Sequence, residues 1–170
     1  TGFNTALTCC GSYWAAVVGN VPEMRGAYNI DNTLRHVLDL VSSAKATKTS
    51  LTYVIRKDAN WNWGGRKLPV TYKDFAYTGQ AFANPKNDVS NRAGYDQFTG
   101  FTHKGQKQIT FTWKKPYADW QDIFGAVYPS QALAGLDFNS IWTTCLCGND
   151  GKPVSDGPFL LTNYTRGQGV

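Results

Sequence analysis

The chain has 170 residues and a formal charge of +5, with 42% hydrophobic and 17% charged residues. This balance fits one domain or a large part of one, supplies a real core and excludes a disordered chain. Lys and Arg are spread without a long run. The nearest to a cluster, Lys104, Lys107, Lys114 and Lys115, flanks an alternating stretch and reads as a solvated strand face, so no nucleic-acid partner is expected.

In chain order, residues 1–20 read as a loop entering an apolar run from Tyr13 to Val18. Leu34, Val37, Leu38, Val41 and Ala44 recur at helical spacing and predict a short helix over 34–44. Leu51, Tyr53 and Ile55 alternate with Thr52, Val54 and Arg56, a strand. Residues 57–69, with Asn, Gly and two Trp, read as a loop. Thr71 is a good N-cap with Asp74 three residues later, so a helix begins there and ends at Asn84-Pro85, before a polar loop over 84–94. Gly105 to Gln108 supply a turn, after which Ile109, Phe111 and Trp113 alternate as a strand that Pro116 stops. Trp120, Ile123 and Phe124 predict a short helix over 117–127. Residues 148–157 form a loop, and Phe159, Leu161 and Tyr164 a last short strand. Helices and strands are mixed, which gives an α+β or α/β class.

No stretch of about 18 or more apolar residues occurs to span a membrane, and no signal peptide is visible. Thr1 is not an initiator Met, and Val170 follows the Gly-rich Arg166-Gly167-Gln168-Gly169; both ends read as cut.

The four cysteines form two groups, Cys9-Cys10 and Cys145/Cys147. Adjacent cysteines rarely bridge, and residues two apart on an extended strand are too far apart, so the plausible bridges run between the groups. Free thiols and a zinc site are the alternatives, although the spacing lacks the gap of common zinc knuckles. A disulfide implies an oxidising compartment.

No catalytic spelling stands out. The two histidines, His36 on the predicted helix and His103 in a Lys/Gly turn, read as structural and exposed residues respectively. GxSxG, HExxH and a phosphate loop are absent, so no cofactor and no resident metal are expected, and the chain does not read as an enzyme. The many aromatic residues leave a secreted carbohydrate- or surface-binding module as a second reading.

One segment is more specific. Tyr53-Val54-Ile55-Arg56-Lys57-Asp58-Ala59-Asn60-Trp61, a short Gly-containing loop, and Pro69-Val70-Thr71-Tyr72-Lys73-Asp74-Phe75 together resemble the signature of the family 5 solute-binding proteins, the oligopeptide, dipeptide and nickel binders of ABC importers. Gln108 to Tyr117, Phe124 to Leu133 and Gly151 to Leu161 resemble further family segments in the same order. Tyr72 stands where Ala is usual, and Asn62-Trp63-Gly64-Gly65 replaces an Asp-Gly turn.

The resemblance implies part of the first lobe of a two-lobed periplasmic-binding-protein-like fold (class II, cluster C) over residues 1–170, with the second lobe and the C-terminal return of the first lobe absent. It implies a substrate-binding component that captures a small solute, most often an oligopeptide, outside the membrane and passes it to an ABC permease. It also implies an extracellular or periplasmic location, with a lipid anchor in the full-length protein. Arg56, Trp61, Thr71 and Asp74 are then scaffold, and Asn4, Tyr13, Trp14, Tyr95, Phe98 and Tyr128 are candidate ligand contacts by position. The cysteines would tie the N-terminal loop to the segment before the Gly157-Pro158-Phe159 strand.

Overall fold

The computed structural model describes residues 2–10 and 24–163. Tyr13, Trp14, the rest of the apolar run to Val18, and Tyr164 lie outside them. Among the described residues the chain forms nine strands and one α-helix: β1 (Tyr28–Ile30), β2 (His36–Leu38), β3 (Val41–Ala46), β4 (Ser50–Ile55), β5 (Asn60–Trp63), β6 (Arg66–Pro69), α1 (Tyr72–Ala83), β7 (Phe98–Lys104), β8 (Gln108–Trp113) and β9 (Val154–Ser155). A 3₁₀ turn, Tyr95–Gln97, precedes β7. Every strand pair in these sheets is antiparallel.

The main sheet has the order β3-β4-β8-β7. Its two central strands are those with clean alternation, and Tyr53 pairs with Ile109 and Leu51 with Phe111. Leu51, Tyr53 and Ile55 on β4 and Ile109, Phe111 and Trp113 on β8 are all buried, as a period of two requires when one face meets a core. Helix α1 covers that face. Its Gly79 sits where an added Cβ would lie 3.1 Å from Phe111 Cε1 and 3.4 Å from Phe124 Cζ. A mid-helix Gly costs about 1 kcal/mol relative to Ala, and the close approach of helix to rings offsets that cost.

Thr71 caps α1. Its hydroxyl accepts from Lys73 N–H at 3.3 Å, and Asp74 reaches back to accept from Thr71 N–H at 2.8 Å, which completes a capping box. The helix stops at Asn84, before Pro85.

The second sheet has the order β6-β5-β9. Residues read as loop form a tight hairpin here: Trp63 pairs with Arg66 across Gly64 and Gly65, whose φ values are +56° and +85°. Two successive positive φ values define the turn that suits strand twist, and Gly adopts them without strain.

The predicted helix over 34–44 is β2 and β3 instead. Leu34 sits in the left-handed region at φ +62°, which ends any helix there. Leu34, Val37 and Leu38 are exposed while adjacent Leu40 and Val41 are buried, so the apolar residues face outward and inward by turns of the chain and not by helical face. Residues 117–127 are a chain of turns. Phe124 has φ +59° and enters the core singly, which a continuous helix could not allow. Residues 158–163 carry no strand. Lys107, read as part of a solvated face, is half-buried and donates to the carbonyls of Val70 (2.7 Å) and Ala59 (3.3 Å), and burial lowers its pKa.

The cysteines pair within their groups, Cys9 with Cys10 and Cys145 with Cys147, and not between them. The chain is turned at both places instead of extended. Around Leu146 it brings the Cα atoms of Cys145 and Cys147 to 5.3 Å, within the ordinary range for a bridge. The expected tie between the N-terminal loop and the 145–147 segment is made instead by backbone: Phe3 N–H donates to Trp142 O at 2.7 Å.

Candidate functional site

Four of the candidate ligand contacts fall in one inward-facing cluster. Asn4 is 1% exposed. Its amide donates to Phe138 O (3.0 Å), and its carbonyl oxygen accepts from Tyr128 O–H (2.9 Å). Tyr128 is also 1% exposed, and its ring stacks on Trp142 at 5.1 Å. Phe82 links this pair to Tyr95, with centroids at 5.9 Å and 4.6 Å. The Tyr95 hydroxyl accepts from Phe124 N–H at 2.6 Å, and Phe98 stacks on Phe111 at 4.5 Å. Burial pushes the phenols of Tyr95 and Tyr128 well above their ordinary pKa. In this structure Asn4, Tyr95, Phe98 and Tyr128 are therefore core: their rings and polar atoms are taken up by protein partners, and they present no open surface to a solute. Position along the chain brought them together correctly but could not tell inward from outward.

The residues read as scaffold have these places. Arg56 forms a two-bond pair with Asp58 (3.0 and 2.7 Å), which holds the exposed Asp58 carboxyl at about 2. Trp61 is buried on β5. Asp74, 3% exposed, accepts from Thr71 N–H with one oxygen and from both Ser130 N–H (2.9 Å) and Ser130 O–H (2.7 Å) with the other. It thus ties the start of α1 to residues 129–132.

Where hairpin β5–β6, the start of α1 and residues 129–132 meet, they enclose a cavity of about 220 Å³. Trp61 and Trp63 lie two apart on β5 and share a face, and Leu68 is the cross-strand neighbour of Trp61. The Trp63 N–H donates to Asp150 at 2.8 Å, and the Arg66 guanidinium sits 4.9 Å from the Trp63 ring centroid, a cation–π contact. Sequence reading missed this corner, because Asn60 and Asn62 disguise β5 as loop. The alternating Trp61/Trp63 before Gly64-Gly65 was the available signal.

A buried carboxylate stands apart. Asp156 is 7% exposed; one oxygen accepts from Arg25 N–H at 2.8 Å, and the other has no partner among the described residues. Burial raises its pKa well above the carboxylate range, opposed by the hydrogen bond and charge of Arg25, whose guanidinium pairs with Asp39. The folded state thus holds this proton more tightly than the unfolded chain does. The stability it contributes is present below the unfolded pKa of about 4 and is lost as pH rises through the folded value. Asp156→Asn is expected to be more stable than the parent at pH 7, with the gap closing towards pH 4. Urea unfolding at both pH values reads this; an equal loss at both would mean that the carboxylate is held ionised.

Among the described residues no group of three or more His, Cys, Asp or Glu is placed to hold a metal ion. No helix of theirs is long and apolar enough to cross a membrane.

The helix-backed antiparallel sheet with its side hairpin has the fold of a binding-protein lobe. It superposes on AppA of Bacillus subtilis in complex with a nonapeptide, with TM-score 0.79 and 18% identity over 99% of this chain and 33% of that one. It superposes also on NikZ of Campylobacter jejuni in complex with Ni(L-His), with TM-score 0.77 and 20% identity over 98% of this chain and 31% of that one. The chain belongs to the bacterial extracellular solute-binding proteins, family 5, whose middle-region model matches residues 37–170. It is similar to the oligopeptide-binding protein OppA of Mycobacterium tuberculosis (strain ATCC 25618 / H37Rv), 27% identical over 135 residues, 74% of this chain and 21% of that protein. It is also similar to the probable monoacyl phosphatidylinositol tetramannoside-binding protein LpqW of the same strain, 27% identical over 139 residues, 80% of this chain and 20% of that protein. The chain thus spans about a fifth of the length of these curated relatives.

Proposed function

We propose that this chain is part of the N-terminal lobe of the substrate-binding component of an ABC-type importer. The whole protein captures a peptide-like solute outside the membrane, is held there by a lipid anchor and hands the solute to a membrane permease; it is not an enzyme. The observation that carries this reading is the family 5 match over residues 37–170. The peptide class is favoured by the likeness to OppA. The relatives' titles also include a metal–histidine complex and a glycolipid, so the solute is the part to be tested.

A two-lobed binder closes because the solute touches both lobes at once. The inward orientation of Asn4, Tyr95, Phe98 and Tyr128 is consistent with a lobe whose solute contacts come from elsewhere. The test compares native and denatured masses of the full-length protein. A discrete extra mass that fragments as a peptide is the expected result; a sugar or lipid mass would replace the peptide class. Residues 1–170 alone are expected to bind the same solute at least about a hundredfold more weakly, roughly 3 kcal/mol. Titration calorimetry checks this, and equal affinity would place the whole site in this stretch.

A further inference from the structure

The cavity beside hairpin β5–β6 has a chemistry of its own. Its walls include Trp61, Trp63, Leu68, Pro129, Ala132 and Val154, all apolar or aromatic. An apolar cavity of about 150 Å³ takes up a benzene-sized guest, so about 220 Å³ has room for one ring and a small polar group.

The polar groups on the walls are not equivalent. Asp74 is fully engaged by Thr71 and Ser130. The first backbone N–H groups of α1 are also taken: Tyr72 N–H by Gln106 O, Lys73 N–H by the Thr71 hydroxyl and Asp74 N–H by Thr71 O. Two groups remain. The Trp61 indole N–H is buried and has no acceptor among the described residues. A buried donor without a partner carries a penalty of about 1–3 kcal/mol, which an acceptor entering the cavity would remove. Lys73 lines the same cavity, is exposed, and makes no ion pair among the described residues. An apolar enclosure with one unmet donor and one free cation selects a guest with an apolar body and an anionic acceptor.

We propose that this cavity is a binding site for a compact apolar carboxylate, with the ring or chain against Trp61, Trp63 and Leu68, the carboxylate accepting from the Trp61 indole, and Lys73 supplying the countercharge. The site is distinct from the solute site of the importer and stands whether or not that reading holds.

The test is a titration of ¹⁵N-labelled full-length protein with phenylacetate, following the indole N–H signals, which Trp61→Phe and Trp63→Phe assign. The expected result is a saturable downfield shift of the Trp61 signal. Phenylacetamide should bind roughly threefold more weakly, as a half-exposed charge pair allows, and Lys73→Gln should remove the difference between acid and amide. Trp61→Phe should weaken phenylacetate roughly tenfold, the worth of a hydrogen bond to a charged group. Ala132→Phe, which fills the cavity while leaving Trp61 in place, should abolish the shift, and it keeps the test open should Trp61→Phe not fold. No saturable Trp61 shift up to about 10 mM, the range of a barely specific site, would overturn the proposal. So would equal binding of acid and amide, or a shift that survives Ala132→Phe.

Discussion

Phe124→Ala is expected to cost about 3–5 kcal/mol in urea unfolding, the range for removing a fully buried aromatic ring. The ring is 0% exposed and lies at the centre of the aromatic core, with centroids of Tyr53 at 5.4 Å, Phe75 at 5.4 Å, Tyr95 at 5.2 Å, Phe98 at 6.1 Å and Phe111 at 5.1 Å. It joins the two strands that make the sheet's buried face to the helix across it, so the cavity left behind has rigid walls and cannot collapse cheaply. Its backbone adds a second effect. At φ +59° a side chain costs roughly 1–2 kcal/mol, a conformation kept here by Phe124 N–H donating to the Tyr95 hydroxyl and Phe124 O accepting from Ala27 N–H at 2.8 Å. Phe124→Gly loses the same ring without that backbone penalty. It should therefore be at least as stable as Phe124→Ala, the reverse of the order at a helical position. If the Ala variant proves clearly the more stable of the two, the left-handed backbone at this residue is wrong. If neither costs more than about 1 kcal/mol, the ring is not the centre of the core.

These residues also show where a linear reading works. Strands β4 and β8 were legible because Leu51-Tyr53-Ile55 and Ile109-Phe111-Trp113 each have one buried and one less buried face, and local alternation reports that directly. The start of α1 was legible because its cap is made by residues three apart. Phe124 was read as a helix-face residue because its apolar neighbours Trp120 and Ile123 have helical spacing; what places it is contact with rings up to 71 positions away, which Tyr53 alone supplies. Strand β7 went unread because it is an edge strand with mostly exposed Thr, Gly, His and Lys, so no period marks it. His103 on that strand is not free in a turn: its ring stacks on Tyr72 at 3.8 Å. The cavity was illegible for the same long-range reason, since its two Trp walls meet a segment, 129–132, brought in by Asp74. The family signature, in contrast, is a local string, and it carried the family although it misplaced the candidate contacts.

Asp74→Ala is the second large effect expected, roughly 2–5 kcal/mol from lost capping and from buried donors left unpaired. Two separable jobs are involved. One oxygen closes the cap with Thr71 N–H, and the other holds Ser130 N–H and O–H. Thr71→Ala removes the hydroxyl that accepts from Lys73 N–H but leaves the Ser130 anchor, and should cost about 1 kcal/mol. Ser130→Ala removes one donor to Asp74 and leaves the backbone one, again a cost of about 1 kcal/mol. Because Thr71 and Ser130 share one carboxylate, the Asp74→Ala/Ser130→Ala pair should be clearly non-additive, with a coupling of about 1–2 kcal/mol, while Thr71→Ala and Ser130→Ala should add. Hydrogen exchange supplies the local readout. In Asp74→Ala the amides of both Thr71 and Ser130 lose protection, whereas in Thr71→Ala that of Ser130 keeps it. Additivity of Asp74→Ala with Ser130→Ala would mean that the helix start and residues 129–132 are held together by something other than this carboxylate, and the cavity they enclose would then need another hinge.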